Sequence, residues 1–153
     1  MIVNRIYCFN NKLYKLIFVL NFKKIMDRKI IKAAAILGFI AIAFGAFGAH
    51  TLKKRVGILE LNTFETGVRY QMYHALFLLF VGTTNSITDA AKKVIYFTTL
   101  FGILLFSGSL YFLALNSFLP FNFKSYGFVT PIGGLLFLTA WFWLFVNYHR
   151  KNH

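Results

Sequence analysis

The chain has 153 residues, of which 58% are hydrophobic and only 14% are charged. Soluble globular domains carry about 25% charged residues, and disordered chains are poor in apolar residues, so this composition excludes both classes. The formal net charge of +13 argues little for nucleic-acid binding, because the basic residues form short groups at predicted helix ends, as in membrane proteins. The single cysteine, Cys8, excludes a disulfide framework and a thiolate metal site within one chain.

The first 25 residues differ from the rest of the chain. They contain five basic residues and no acid, and their apolar run at Leu16–Leu20 is too short to span a membrane. We interpret residues 1–25 as an N-terminal extension and expect translation to start at Met26. The alternative is an amphipathic segment that lies on the membrane surface. A single domain is predicted over residues 26–153.

Four long apolar stretches dominate the remainder of the chain. They are Ala33–Ala49, Val68–Ile87, Val94–Leu119 and Phe128–Tyr148. Crossing the hydrocarbon layer takes about 20 helical residues, and each stretch approaches or exceeds that length. The predicted fold class is therefore all-α, an integral membrane bundle of four transmembrane helices with short loops.

Small residues recur along three of these helices. In lipid, small side chains let two helix backbones approach closely, and packing replaces the hydrophobic effect as the driving force. In the first helix they follow a four-residue spacing. We therefore expect helix contacts at Ala41, Gly45, Gly48, Ala49, Gly108, Gly133 and Gly134.

The ends of the later helices carry recognisable signals. Asn62-Thr63-Phe64-Glu65 resembles a capping box, which predicts a second helix from about Thr63 to Thr83. The third helix is predicted to begin near Lys93 and to end before Pro120. Thr130-Pro131 predicts the start of the fourth helix. Proline has no backbone N–H, and at the first position of a helix that N–H would have no acceptor within the helix, so nothing is lost.

The second helix carries the candidate polar cluster. At 100° per residue, one face receives Glu65, Arg69 and Tyr73, and the opposite face receives Gly67, Tyr70, Gln71 and His74. A helix that is polar on both faces suits an interface or an enclosed site better than lipid. With a histidine from the end of the first helix, the full set is His50, Glu65, Arg69, Tyr70, Gln71, Tyr73 and His74.

Two interpretations of this cluster remain open. In the functional one, it forms a small polar pocket in which His74 and His50 exchange protons near neutral pH. In the structural one, Glu65 caps its helix and pairs with Arg69, Arg69 extends to lipid phosphates, and His74 donates to a carbonyl of a neighbouring helix. No HxxxH or HxxE spacing occurs around these residues, so we predict no metal site.

The motifs of the common enzyme classes are missing from the sequence. It has no glycine-rich phosphate loop followed by Lys and Ser or Thr, no GxSxG and no HExxH. Four acidic residues in the whole chain leave little material for paired acid–base catalysis. We therefore expect a protein that is not an enzyme and that has no cofactor.

Four strings occur in an order that identifies a resemblance. GAFGAH at 45–50, FETGVRYQMYHAL at 64–76, FSGSLYFLAL at 106–115 and TPIGGLLFLTAW at 130–141 resemble the small bacterial inner-membrane proteins grouped as domain of unknown function 423, which is similar to the transmembrane protein 256 group. The resemblance covers residues 26–150. It implies a four-helix protein of the inner membrane and supports a start at Met26, but it implies no activity or substrate.

Two classes of function follow. The first is an accessory or assembly protein that binds lipid, a second copy of itself or another membrane protein. The second is a small transporter or an ion or proton pathway through the polar cluster. Counted from Met26, seven basic residues fall on the side of the N-terminus and five on the other, so we expect both termini in the cytoplasm.

Overall fold

The computed structural model describes residues 2–120 and 122–150, and the side chains of residues 25–148 except 121 and 124. Within these residues all regular structure is helical. The four α-helices are α1 (Ile2–His50), α2 (Ile58–Thr83), α3 (Asp89–Ala114) and α4 (Val129–Arg150). Short 3-10 helices occupy Leu52–Lys54, Asn116–Phe118 and Phe123–Tyr126 in the connections. The predicted all-α four-helix bundle is confirmed.

Among the described residues, three segments are long and apolar enough to cross a membrane. They are Ile25–Lys54, Asp89–Ala114 and Val129–Tyr148. Helix α2 has 26 residues, about 39 Å at 1.5 Å per residue, so it has the length of a spanning helix. Its polar first half keeps it out of that group, and it packs against both α1 and α3. Neighbouring helices therefore cover polar positions of α2 that lipid would not accept.

The predicted start of α2 is wrong by five residues. The helix begins at Ile58, with Gly57 as its N-cap and Glu60 in its first turn. The supposed capping box lies inside the helix, where the Thr63 hydroxyl donates to the Leu59 carbonyl at 2.9 Å. A glycine with extended backbone caps the helix without a side chain, so the capping residues give no signal there.

Helix α3 also differs from its prediction, whereas α4 agrees. Helix α3 begins at Asp89, where the Thr88 hydroxyl accepts a hydrogen bond from the Ala91 amide at 3.3 Å. It ends at Ala114, and a 3-10 turn takes the chain towards Pro120. The start of α4 lies within one residue of the predicted Thr130.

Helices α1 and α2 pack as antiparallel neighbours through small residues. A β-carbon added at Gly45 would lie 3.7 Å from Val68, and one at Gly48 would lie 3.3 Å from Phe64. Ala41, about one helical turn before Gly45 in α1, is only 1% exposed. Ala49 is exposed, so the prediction that it packs against another helix within the chain is wrong. The contact face follows a spacing of three and four residues, as helix packing requires, and not the strict four-residue spacing of the sequence.

Helices α3 and α4 approach each other closely at Gly133. A β-carbon there would collide with the backbone and Cβ of Phe106, and one at Gly134 would lie 3.8 Å from the same ring. Gly102 provides the reciprocal contact, where Phe137 occupies the space of a side chain. A β-carbon at Gly108 would meet no atom of the described residues within 4 Å, so the helix contact expected at Gly108 is not made within this part of the chain.

A buried ion pair joins α1 to the N-terminal end of α3, far from the Gly48–Phe64 contact. The Lys92 ammonium donates to Asp27 Oδ1 at 2.5 Å, with the lysine side chain 0% and the aspartate side chain 22% exposed. An apolar cluster that includes Ile30 and Ile95 packs near it. Lys92 is one of the basic residues that the sequence places at a helix end, but it is not a charge at the membrane surface, because Asp27 pairs with it inside the bundle.

Candidate functional site

Helix α2 separates its polar side chains onto two faces, as the helical period predicts. Glu65, Arg69 and Tyr73 are exposed, whereas Gln71 and His74 are 3% and 5% exposed. Gln71 follows Arg69 by two residues, about 200° around the helix, so the two side chains lie on opposite sides when one face packs on neighbouring helices. The candidate cluster therefore divides into a surface group and a buried group.

Gln71 connects three helices through its amide. Its Nε2 donates to the Leu37 carbonyl of α1 at 2.9 Å, and its Oε1 accepts from the Tyr111 hydroxyl of α3 at 2.9 Å. Tyr111 was not predicted from the sequence, since a single tyrosine in an apolar helix gives no indication of its partner. A buried amide with a donor and an acceptor engaged fixes the relative position of helices.

His74 is held from two sides. Its Nδ1 lies 2.8 Å from the Tyr70 carbonyl of its own helix, and its ring stacks on Phe137 of α4 with centroids 3.5 Å apart and planes at 12°. A carbonyl only accepts, so Nδ1 carries a proton and Nε2 is the acceptor of the neutral ring. The predicted bond to a neighbouring helix carbonyl is wrong. Among the described residues, the buried Nε2 atom has no hydrogen-bond partner.

The surface group does not form the predicted pair. The Arg69 guanidinium donates to the Thr66 hydroxyl at 3.1 Å, and no ion pair joins it to Glu65 in the part of the chain described. His50 is exposed at the end of α1 and lies beyond the Gly48–Phe64 contact. It is therefore about two helical turns from Gln71 along α2. The described residues contain no group of three metal-ligating side chains.

An open groove lies between α2, α3 and α4. Its volume is about 590 Å³, and we call it the aromatic groove. Tyr70 contacts Phe106 with ring centroids 4.7 Å apart, and Phe77 supports Trp141 with centroids 4.3 Å apart. The groove is lined by Tyr70, His74, Phe106, Pro131, Gly134, Leu135, Phe137, Leu138 and Trp141. It is mainly apolar, with His74 and Tyr70 as its polar members.

Comparisons with known proteins identify relatives along most of the chain. Residues 44–134 match the family described as "Protein of unknown function (DUF423)". The chain is 42% identical over 111 residues to the UPF0382 inner membrane protein YgdD of Escherichia coli, covering 71% of this chain and 79% of that protein. It is 38% identical over 113 residues to a UPF0382 membrane protein of Staphylococcus saprophyticus, covering 74% and 90%. No solved structure matches.

Proposed function

Since this chain belongs to the DUF423 family of membrane proteins, we propose from the geometry of its own helices that it is an accessory protein, without catalytic activity, that binds lipid. The observation that supports this proposal is the aromatic groove. Its volume of about 590 Å³ falls within the roughly 300–1,000 Å³ of sites that enclose small ligands. Leu135, Leu138 and Trp141 on its rim are at least half exposed, on a helix that is apolar enough to face lipid. The proposed occupant is the hydrocarbon chain of a membrane lipid.

The use of the buried polar groups favours binding over conduction. The Gln71 amide is engaged in hydrogen bonds to α1 and α3, and the His74 ring is stacked against Phe137. Glu65 and Arg69 lie on the outer face of α2. A polar path needs side chains that can reorient towards a passing ion or proton, whereas these side chains hold helices together or lie outside.

The test is native mass spectrometry of the full chain extracted gently from its own membrane. Gly134→Leu fills the aromatic groove and should remove most of the lipid retained per subunit. Gly108→Leu is the matched control, because it adds the same side chain at a helical glycine without a neighbour. Equal lipid retention in both variants would contradict the proposal. The same spectra count subunits and reveal any protein partner.

A second candidate is a proton or ion pathway, and one observation favours it. His74 Nε2, Thr99 Oγ1 and Ser107 Oγ are buried without a partner among the described residues, and buried polar atoms in proteins are normally bonded. In proteoliposomes that enclose a pH-sensitive dye, this candidate predicts that His74→Ala abolishes flux while the helical circular dichroism persists, whereas Glu65→Gln, on the outer face of α2, leaves flux unchanged. Flux that is equal with and without the wild-type protein would exclude it.

We also propose that both termini face the cytoplasm. The basic groups at Arg28-Lys29 and Lys93 lie at one end of the bundle, with Lys53, Lys54 and Arg55 at the other. With Lys92 inside the bundle, six basic residues from residue 26 onwards remain on the side of the termini, against five on the other side, and this excess favours a cytoplasmic location of both termini. A reporter active only in the cytoplasm, fused at the C-terminal end, should be active. Activity only in a periplasmic reporter would reverse the orientation.

A further inference from the structure

A second pocket lies where two candidate membrane spans end. The Ile25–Lys54 span stops one residue before Arg55, and the Asp89–Ala114 span stops two residues before Asn116. Arg55, Gly57 and Glu60 line one side of this pocket, and Asn116 and Ser117 line the other. We call it the interfacial pocket, because helix ends place it at the depth of lipid headgroups. Its volume is about 280 Å³, which suits a headgroup better than a whole lipid.

The interfacial pocket carries two opposite charges that do not pair with each other. Arg55 and Glu60 both line it, yet the only ion pair among the described residues is that of Lys92 and Asp27. Opposite charges that face one small space without contact are complementary to a ligand that carries both signs. A simple anion would satisfy Arg55 and be repelled by Glu60.

The other groups of the pocket add donors on the arginine side. Asn116 Oδ1 accepts from the Phe123 amide at 2.5 Å, which orients its Nδ2 group as a donor. The Ser117 hydroxyl is exposed and also donates. Guanidinium, amide and hydroxyl donors together match the oxygens of a phosphodiester.

The Glu60 carboxylate occupies space that Gly57, three residues earlier, leaves free. A β-carbon at Gly57 would lie 2.6 Å from Glu60 Oε2, so the carboxylate occupies space that any other residue would fill. The Gly57 backbone has φ −71° and ψ 168°, which alanine adopts without strain. Gly57→Ala therefore displaces the carboxylate without straining the turn.

From these observations we propose that the interfacial pocket binds the headgroup of an aminophospholipid, a phosphodiester joined to a primary ammonium as in phosphatidylethanolamine. The phosphodiester lies against Arg55, Asn116 and Ser117, and the ammonium donates to Glu60. A quaternary choline group has no N–H to donate, and phosphatidylglycerol has no cation. This inference rests on the proposed lipid-binding function but concerns a pocket separate from the aromatic groove.

The experiment incubates the detergent-solubilised full chain with equal amounts of phosphatidylethanolamine, phosphatidylglycerol and phosphatidylcholine of identical acyl chains. Native mass spectrometry then gives the ratio of bound lipids. The wild type should prefer phosphatidylethanolamine, and Glu60→Gln should lower its ratio to phosphatidylglycerol by about fivefold, as loss of one partly exposed ion pair implies. Gly57→Ala should act in the same direction, and Arg55→Gln should weaken the binding of all three lipids.

Two matched controls remove the same charges beside the pocket. Glu65→Gln and Lys54→Gln change exposed residues that do not line it, and they should leave the ratio unchanged. An unchanged ratio in Glu60→Gln, or an equal change in Glu65→Gln, would overturn the proposal. Displacement of the lipid by soluble phosphoethanolamine at equal concentration would also overturn it, in favour of a free zwitterion. Gly134→Leu should lower total lipid retention while the preference for phosphatidylethanolamine persists, because the interfacial pocket shares no lining residue with the aromatic groove, so the two lipid proposals fail separately.

Discussion

Replacement of Asp27 by asparagine should destabilise the bundle by about 3 kcal/mol, because it leaves a buried ammonium without its counter-charge. Lys92 is fully buried and has Asp27 as its ion-pair partner. Removing one member of a buried pair costs roughly 3–5 kcal/mol, and we take the lower end because the Asp27 side chain is 22% exposed. At about 1.4 kcal/mol per factor of ten, the ratio of folded to unfolded protein should fall by roughly a hundredfold.

The assay is equilibrium unfolding of the purified protein in mixed micelles, followed by circular dichroism. Lys93→Met is the control, since Lys93 is the exposed neighbour of Lys92 and should change the unfolding free energy by less than about 0.5 kcal/mol. The double variant Asp27→Asn with Lys92→Met should recover most of the loss, because it removes both charges from the interior. A single variant as stable as the wild type, or a double variant less stable than Asp27→Asn alone, would refute the reasoning.

The remaining predictions concern helix contacts. Gly133→Ala should cost about 1–3 kcal/mol of unfolding free energy, because the added methyl group meets the backbone of Phe106, whereas Gly134→Ala should be near neutral. Thermal unfolding measures both, and equal melting temperatures would contradict the contact. Gln71→Leu should cost about 1–2 kcal/mol, since it removes two hydrogen bonds between helices. A double-mutant cycle with Tyr111→Phe should show coupling between the two positions, and additive effects would argue against the bond.

Local patterns were sufficient for the helical architecture and for the two faces of α2. Apolar length predicts the spans, because the thickness of the hydrocarbon layer sets it without reference to the fold. The helical period alone places Glu65 and Arg69 on a different face of α2 from Gln71 and His74. In the structure Gln71 and His74 are both buried, which agrees with this division. The start of α4 could also be predicted locally, from Pro131, because proline restricts the backbone at its own position and favours the first turn of a helix. The start of α2 could not be predicted in this way, because its N-cap is a glycine, which has no capping side chain to recognise in the sequence.

The contacts between helices were decided by the tertiary structure. Gln71 bonds to a carbonyl 34 positions away, and Lys92 pairs with a residue 65 positions away. Gly108 and Gly133 are the same residue in similar apolar helices, yet only Gly133 touches a neighbouring backbone. The register and rotation of one helix against another determine these partners, and spans that are apolar almost all round carry little local information about either. The sequence alone therefore determined that this protein forms membrane helices and how the polar residues of α2 divide between two faces, whereas the packed bundle decided which side chains are buried, the partner of each buried group and the positions of both pockets.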